Sequence, residues 1–196
     1  MHKGKIFILS GPSGAGKTTI YKRLLKRNRI KDILVRVVTY TTRSMRPGEV
    51  HGKDYFFISK KMFLFKQRWK HFLECQKVFE NYYGTPRKQV EDILKQGQNV
   101  LLCIDVKGAH SVAEVFPDAV KIFIMAPSFE DLCQRLKQRA SEDPNALRLR
   151  IKTAKEEIKQ MDRYDYIVIN DDIKRAVREV ENIIVSEALN LADSRH

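Results

Sequence analysis

Short apolar runs alternate along this chain with longer stretches in which apolar residues recur every three or four positions. Residues 5–9, 33–39, 100–106 and 120–125 read as buried strands, with 166–169 as a fifth. Between them, 18–27, 89–96, 130–139, 147–161 and 173–191 carry helical spacing. In the last of these Ala176, Val177, Val180, Ile183, Ile184 and Ala188 make one apolar stripe, a face for packing on a core. Strands alternating with helices predict a parallel sheet with crossover connections, an α/β fold. Ser128 followed by Asp131 reads as a capping box, and Asp171 or Asp172 can cap the final helix.

Two regions break the alternation. Residues 40–85 hold short strand-like pieces, turns at Pro47-Gly48 and His51-Gly52, and many Arg, Tyr and Glu, the pattern of a small, partly β lobe inserted after the second strand. Residues 135–150 are polar and charged around Ser141-Glu142-Asp143-Pro144-Asn145, with few apolar anchors, as expected of a mobile flap. The length of 196 residues suits one compact domain.

Composition excludes several classes. No apolar run reaches the ~18 residues of a membrane span, and the N-terminus has no apolar signal region. The three cysteines, Cys75, Cys103 and Cys133, are odd in number and form no C-x-x-C pair, so they read as reduced thiols of a cytoplasmic protein rather than a disulfide frame. The five histidines form no ligand cluster. A net charge of +13, from 37 basic and 24 acidic residues, would suit a nucleic-acid partner on charge alone. The cations are dispersed among acids, however, and fit the steering of polyanionic small substrates better than a dedicated nucleic-acid face. The aromatics Phe63, Phe65, Trp69 and Phe72 lie among Lys66, Arg68 and Lys70. Stacking on single strands is one reading of that stretch, and a helix packed by its apolar side is the favoured one.

The sharpest motif is Gly11-Pro12-Ser13-Gly14-Ala15-Gly16-Lys17-Thr18, followed by Thr19, which fills G-x-x-x-x-G-K-[ST] between an expected strand and an expected helix. Glycines let backbone N–H groups curl around phosphate oxygens, and the new helix points its positive end at the same anion. Lys17 can reach β and γ phosphates, and the Thr18 hydroxyl can ligate Mg²⁺. This is a nucleoside triphosphate site.

Further segments cover nearly the whole chain: Thr41-Thr42-Arg43-Ser44-Met45-Arg46-Pro47-Gly48-Glu49, Gly52-Lys53-Asp54-Tyr55, Phe72-Leu73-Glu74, Asn81-Tyr82-Tyr83-Gly84-Thr85, Ile104-Asp105-Val106-Lys107-Gly108 and Ile169-Asn170-Asp171-Asp172. In that order they resemble the guanylate kinase family. The resemblance implies a P-loop NTPase-type three-layer fold with a core (about 1–38, 86–127 and 160–196), an acceptor-binding lobe (about 39–85) and a lid (about 128–159). It implies transfer of the γ-phosphoryl group of ATP to GMP, and dGMP too, with Mg²⁺, by a monomer or homodimer. Arg43, Arg46, Tyr55 and Tyr83 would fix the acceptor phosphate; guanidinium forks and phenols suit that task. Glu74, an acceptor-only group, would take the N1–H and amine of guanine, with Thr39 and Thr85 nearby. Asp105 would help hold the acceptor and, with Thr18, the metal. Arg135, Arg139 and Arg150 match lid arginines, and Asn170 the position bordering the donor adenine. The family usually has a second acid two residues before Asp105, where this chain has Cys103. Two rivals stand beside this reading, a non-catalytic interaction module of the same fold and a basic nucleic-acid-binding protein with an NTP site. Related ribose-bisphosphate kinases share the architecture.

Overall fold

The structure is a computed structural model of the chain and describes residues 4–139 and 144–193. The predicted strands all form and build one five-stranded parallel sheet in the order β2(Leu34–Arg36)–β7(Asn99–Cys103)–β1(Ile6–Ser10)–β8(Val120–Met125)–β9(Tyr166–Ile169). The strand after β1 in sequence is therefore not its neighbour; β7 inserts between β1 and β2. Such a reversal of direction opens a crevice beyond the carboxyl ends of the strands, and α/β proteins bind ligands there.

Both faces of this sheet are covered, so its strands are apolar without alternation. Phe7 and Leu9 face one side with Leu101, Ile122, Ile124 and Val168, and pack on α1(Lys17–Leu24) and α8(Ile173–Asp193). Ile6 and Ile8 face the other with Val100, Leu102 and Phe123, and pack on α4(Arg87–Lys95) and α5(Val106–Val115). The stripe expected on α8 does this packing, with Ala176, Val177, Val180 and Ile184 buried. Asp172 caps α8 by accepting the Arg175 N–H at 2.8 Å. The Ser128–Asp131 cap also forms, the Asp131 N–H meeting the Ser128 hydroxyl at 3.0 Å. It opens α6(Phe129–Arg139).

Several expectations are corrected. β2 covers only three residues, and the chain leaves the sheet before Thr39. The run expected to continue as strand to residue 106 ends at Cys103, because Asp105 accepts the Gly108 N–H at 2.7 Å and starts α5, a helix the apolar pattern did not separate. The first helix stops at Leu24 and is followed by a short α2(Asn28–Lys31).

The inserted region is a second, four-stranded sheet in the order β4(Phe56–Phe57)–β3(Tyr40–Thr41)–β6(Asn81–Pro86)–β5(Phe72–Val78), with α3(Lys60–Arg68) on it. A bulge between Phe72 and Glu74 leaves Phe72, Leu73 and Glu74 all buried, where a regular strand would turn one of them outward. The aromatic stretch divides. Phe63 stacks on Phe72 at 4.6 Å between ring centroids, as the packing reading expects, but Phe65 and Trp69 are 58% and 71% exposed on the opposite side of α3.

The charged region from 135 is better anchored than its composition suggests. Leu132 and Leu136 of α6 form a small apolar cluster with Ala154 of α7(Pro144–Ile158), and Leu147 and Ile151 pack against it. Of the tip expected at residues 141–145, 141–143 lie outside the described residues, and Pro144 and Asn145 open α7. Among the described residues no helix is long and apolar enough to cross a membrane.

Candidate active site

The glycine-rich loop leaves the carboxyl end of the central strand β1 and runs into α1, as the motif requires. Gly16 has φ +101, and a Cβ there would stand 2.1 Å from the Asn170 amide nitrogen, so both conformation and space demand glycine. Asn170, at the end of β9, donates that amide to the Ala15 carbonyl at 2.7 Å and pins the loop from the far edge. The Lys17 ammonium lies 2.5 Å from the Gly11 carbonyl and 2.9 Å from that of Pro12, folded over the space its own loop encloses. Gly14 backs onto Leu132 and Leu136 of α6, so the α6–α7 pair lies directly on the loop.

A pocket of about 410 Å³ opens beside the loop. Gly14, Gly16, Thr19, Arg135, Asn170 and Asp171 line it. Arg135 reaches the Asn170 carbonyl at 2.9 Å, which places its guanidinium at the pocket wall. Ser13 and Thr18 are exposed at the loop's mouth, whereas Pro12 and Ala15 are buried in its frame. The side chain of Arg139 lies outside the described residues. Arg150 of α7 lies with its guanidinium 6.0 Å over the Phe79 ring, in the turn between β5 and β6.

The second sheet brings the other predicted residues together. The Arg43 guanidinium is held by Glu49 at 2.7 and 2.9 Å and by the Ser44 carbonyl at 2.6 Å. It also stands over the rings of Tyr55 and Phe57, at 5.5 and 5.6 Å. Tyr55 and Tyr83 meet edge to face at 6.0 Å. Burial, though it opposes the charged form, is outweighed at Arg43 by the Glu49 and Tyr83 oxygens, and its pKa rises. Arg46 donates its backbone N–H to Glu49 at 2.8 Å and leaves its side chain exposed. Thr39 is buried just ahead of β3.

Glu74 is 6% exposed, and its Oε1 accepts the Thr85 hydroxyl at 2.6 Å. Its Oε2 faces Gly108, where a Cβ would come within 3.1 Å of that oxygen and 3.4 Å of Asp105 Oδ1. Two carboxylates thus converge on a residue with no side chain. Burial, helped by the nearby Asp105 charge, pushes Glu74 up to about 7 against the pull of Thr85. Cys103 is partly buried, and burial raises its thiol although Lys17 and Arg36 pull it down. A neutral thiol is a poor stand-in for a carboxylate toward a hard cation.

Three carboxylates with structural work at this site escaped the sequence reading. Glu49 ties Arg43 to the Arg46 turn. Asp54, buried beside an ion pair with Lys22 of α1, accepts the Val50 N–H at 2.9 Å and fixes the turn before Tyr55. Glu157 of α7 is the third: burial pushes its carboxyl up to about 7, and the Lys17 charge pulls against that rise. Glu49 and Asp54 stand inside quoted motifs, a signal that could have flagged them; Glu157 lies among alternating lysines and glutamates and carries none.

A glycine-rich phosphate loop on the central strand of a five-stranded parallel sheet, faced by a second sheet, defines a P-loop NTPase-type α/β protein. The profile of the family described as guanylate kinase matches residues 3–187. A guanylate kinase of a Wolbachia from Brugia malayi is 45% identical over 189 residues, 96% of this chain and 95% of that protein. One from Buchnera aphidicola is 41% identical over 191 residues, 97% and 92% of the two chains. The crystal structure of guanylate kinase from Anaplasma phagocytophilum superposes with a TM-score of 0.80 at 35% identity, over 96% of this chain and 88% of that one. The chain belongs to the guanylate kinase family.

Proposed function

We propose that this chain is an ATP:GMP phosphotransferase of the cytoplasm, giving ADP and GDP, with the second sheet as acceptor lobe and the α6–α7 pair as lid. The observation that carries the acceptor assignment is the buried Glu74 carboxylate, with Oε1 committed to Thr85 and Oε2 turned toward Gly108 and Asp105. Two adjacent carboxylates accept the N1–H and 2-amino donors of guanine. Adenine has an unprotonated N1 and would leave them unmatched, a penalty that gives strong discrimination. No residue of this reading is assigned to the ribose 2′-hydroxyl, so dGMP is accepted as well.

The acceptor phosphate lies between Arg46 and Arg43, with the phenols of Tyr55 and Tyr83 as further donors. Arg43 is already oriented by Glu49, and an incoming phosphate shares or replaces that carboxylate. On the donor side, adenine enters the pocket beside Asn170 and Asp171, and the phosphates lie on the loop N–H groups. Lys17 leaves the Gly11 and Pro12 carbonyls for the β and γ phosphates. Arg135, Arg139 and Arg150 complete the charge neutralisation from the lid. No general base is required, because the attacking oxygen of GMP is already anionic.

The donor set fits Mg²⁺ in the way such ions usually bind at triphosphates, through few protein ligands with waters and phosphate oxygens filling the rest. The exposed Thr18 hydroxyl at the start of α1, with Asp105 on the adjoining strand end, would hold it. When bound, the ion neutralises charge between the β and γ phosphates. Among the described residues there is no group of three or more His, Cys, Asp or Glu placed to hold a metal by themselves.

The test is ADP production from ATP and Mg²⁺ with GMP, dGMP, AMP, CMP, UMP and ribose 1,5-bisphosphate offered separately. GMP and dGMP are expected to support turnover and AMP to support little. Turnover with the sugar phosphate alone would overturn the acceptor, and no turnover with any acceptor would overturn the catalytic reading.

A further inference from the structure

One side of α3 is held by the second sheet, and the other faces solvent with residues that a merely solvated helix does not need. Phe63 anchors the inner side by stacking on Phe72. Met62, Phe65 and Trp69 follow at three and four positions, so they share one outward stripe. They are 47%, 58% and 71% exposed, and the Phe65 and Trp69 rings stand 6.1 Å apart. Lys61 and Arg68, both exposed and two helical turns apart, make a second stripe beside the first, with the exposed Leu64 next to it. Between Asp54 and Glu74 the chain has Lys60, Lys61, Lys66, Arg68 and Lys70 and no acid. Among the described residues none of these five cations is in an ion pair. Lys60 and Lys66 lie over the rings of Tyr82 and Tyr40, which leaves Lys61, Arg68 and Lys70 for the outer side.

Several of these choices cost stability. Lys60 and Lys61 stand in the first turn of α3, whose partial positive charge favours acids. Lys70 follows the C-cap at φ +51, in the left-handed region that glycine fills most easily. Unpaired cations set against the helix's own dipole, beside an uncovered aromatic stripe, fit a partner that is anionic at its surface and apolar beneath. An anionic lipid bilayer has both parts. Its phosphates attract Lys and Arg, and aromatic rings settle at the boundary between headgroups and acyl chains. A single-stranded nucleic acid asks for flat rings to stack on within a basic groove. This surface is the outer side of a helix, its two rings are tilted by 53°, and Met62 and Leu64 offer no plane to a base.

We propose that the outer side of α3 is a membrane-docking surface: Met62, Phe65 and Trp69 enter the headgroup boundary of an anionic bilayer while Lys61, Arg68 and Lys70 meet lipid phosphates. The helix lies on the membrane and spans nothing. None of these residues belongs to the candidate active site, so the proposal stands apart from the assignment of the acceptor.

Trp69 is the only tryptophan of the chain, and its fluorescence reports the contact directly. The full chain is titrated, up to about 5 mM lipid, with vesicles of phosphatidylcholine alone or with about 30% phosphatidylglycerol added, and bound protein is measured by sedimentation. With the anionic vesicles the emission is expected to shift to the blue and the protein to sediment. Phosphatidylcholine alone should capture at least about tenfold less, and about 0.5 M salt should release the protein. Lys61→Gln together with Arg68→Gln is expected to lower partition about 10- to 30-fold, at about fivefold per cation, with the parental melt. Phe65→Ser keeps the reporter and is expected to lower partition about tenfold. No shift with anionic vesicles, equal capture by neutral ones, or a Phe65→Ser variant that partitions like the parent would each overturn the proposal. A larger shift with a single-stranded oligonucleotide than with anionic vesicles at equal phosphate would assign the surface to nucleic acid and overturn it too.

Discussion

Glu74→Gln replaces one buried carboxylate oxygen by an amide and moves stability and acceptor binding in opposite directions. The Oε1 contact to Thr85 survives, since an amide oxygen accepts the same hydroxyl. What disappears is the cost of ionising a carboxyl group in an apolar site. The folded protein holds the Glu74 proton up to about 7, whereas the unfolded chain releases it near 4.5. Between those values the folded state binds more protons, so wild-type stability falls as pH rises through that window. The difference of about 2.5 pH units corresponds to about 3 kcal/mol at most, fully felt only above pH 7. Glutamine escapes that cost. At pH 8 the variant without nucleotide is expected to melt several degrees higher, at about 2–4 °C per kcal/mol for a domain of this size. At pH 5 the folded carboxyl is neutral and the difference shrinks to under about 1 kcal/mol, so the melts draw close. GMP sees the reverse change, because the new NH₂ beside Asp105 confronts guanine's donors with another donor. KM for GMP is expected to rise about 10²- to 10³-fold, with KM for ATP nearly unchanged. Calorimetric melts at pH 5 and 8 and a coupled ADP assay read both effects. A variant that melts below wild type at pH 8 would refute the desolvation argument, and an unchanged KM for GMP would remove Glu74 from base recognition.

Lys17→Ala is expected to lower turnover by at least about 10²-fold through lost charge at the transferring phosphoryl group, and retained activity would sink the phosphate-loop assignment. Gly16→Ala drives a Cβ into the Asn170 amide at a backbone angle that L side chains avoid; titration with a fluorescent ATP analogue should show binding lost while the melt shows a folded protein. Because burial raises the Cys103 thiol, alkylation at pH 7.5 followed by mass spectrometry should modify it more slowly than in the unfolded chain; equal rates would contradict the burial.

The parts of this fold that were legible in the sequence depend on neighbours in the chain. The phosphate loop needs a strand, a turn and a helix in succession, and the caps at Ser128 and Asp172 act over three residues. What was missed depends on partners far away. The apolar run through Ile104-Asp105-Val106 reads as one strand until the Asp105 cap is seen to break it. The bulge that buries Phe72, Leu73 and Glu74 together exists only in the pairing with β6. α3 is apolar on two sides, and periodicity cannot tell which one the sheet covers; Phe63 went in and Trp69 stayed out. Glu157 is one of several acids in a lysine-rich helix, and only the packing of that helix on α6 brings its charge within reach of Lys17. Among the candidate site residues, those in glycine-punctuated motifs were readable, and the carboxylates that hold them in place mostly were not.

The order of strands also governs when the nucleotide site can exist during synthesis. β1 leaves the ribosome well before either of its partners, and β2, which follows it, does not pair with it. Its two partners are residues 99–103 and 120–125, roughly half a chain away. Long-range parallel pairing is slow and leaves strand edges unmatched until it completes. A nascent chain therefore carries the whole glycine-rich motif long before it has the sheet that shapes it. ATP can stabilise this protein only after β8 has emerged, so the ligand guards the finished molecule and not the growing one.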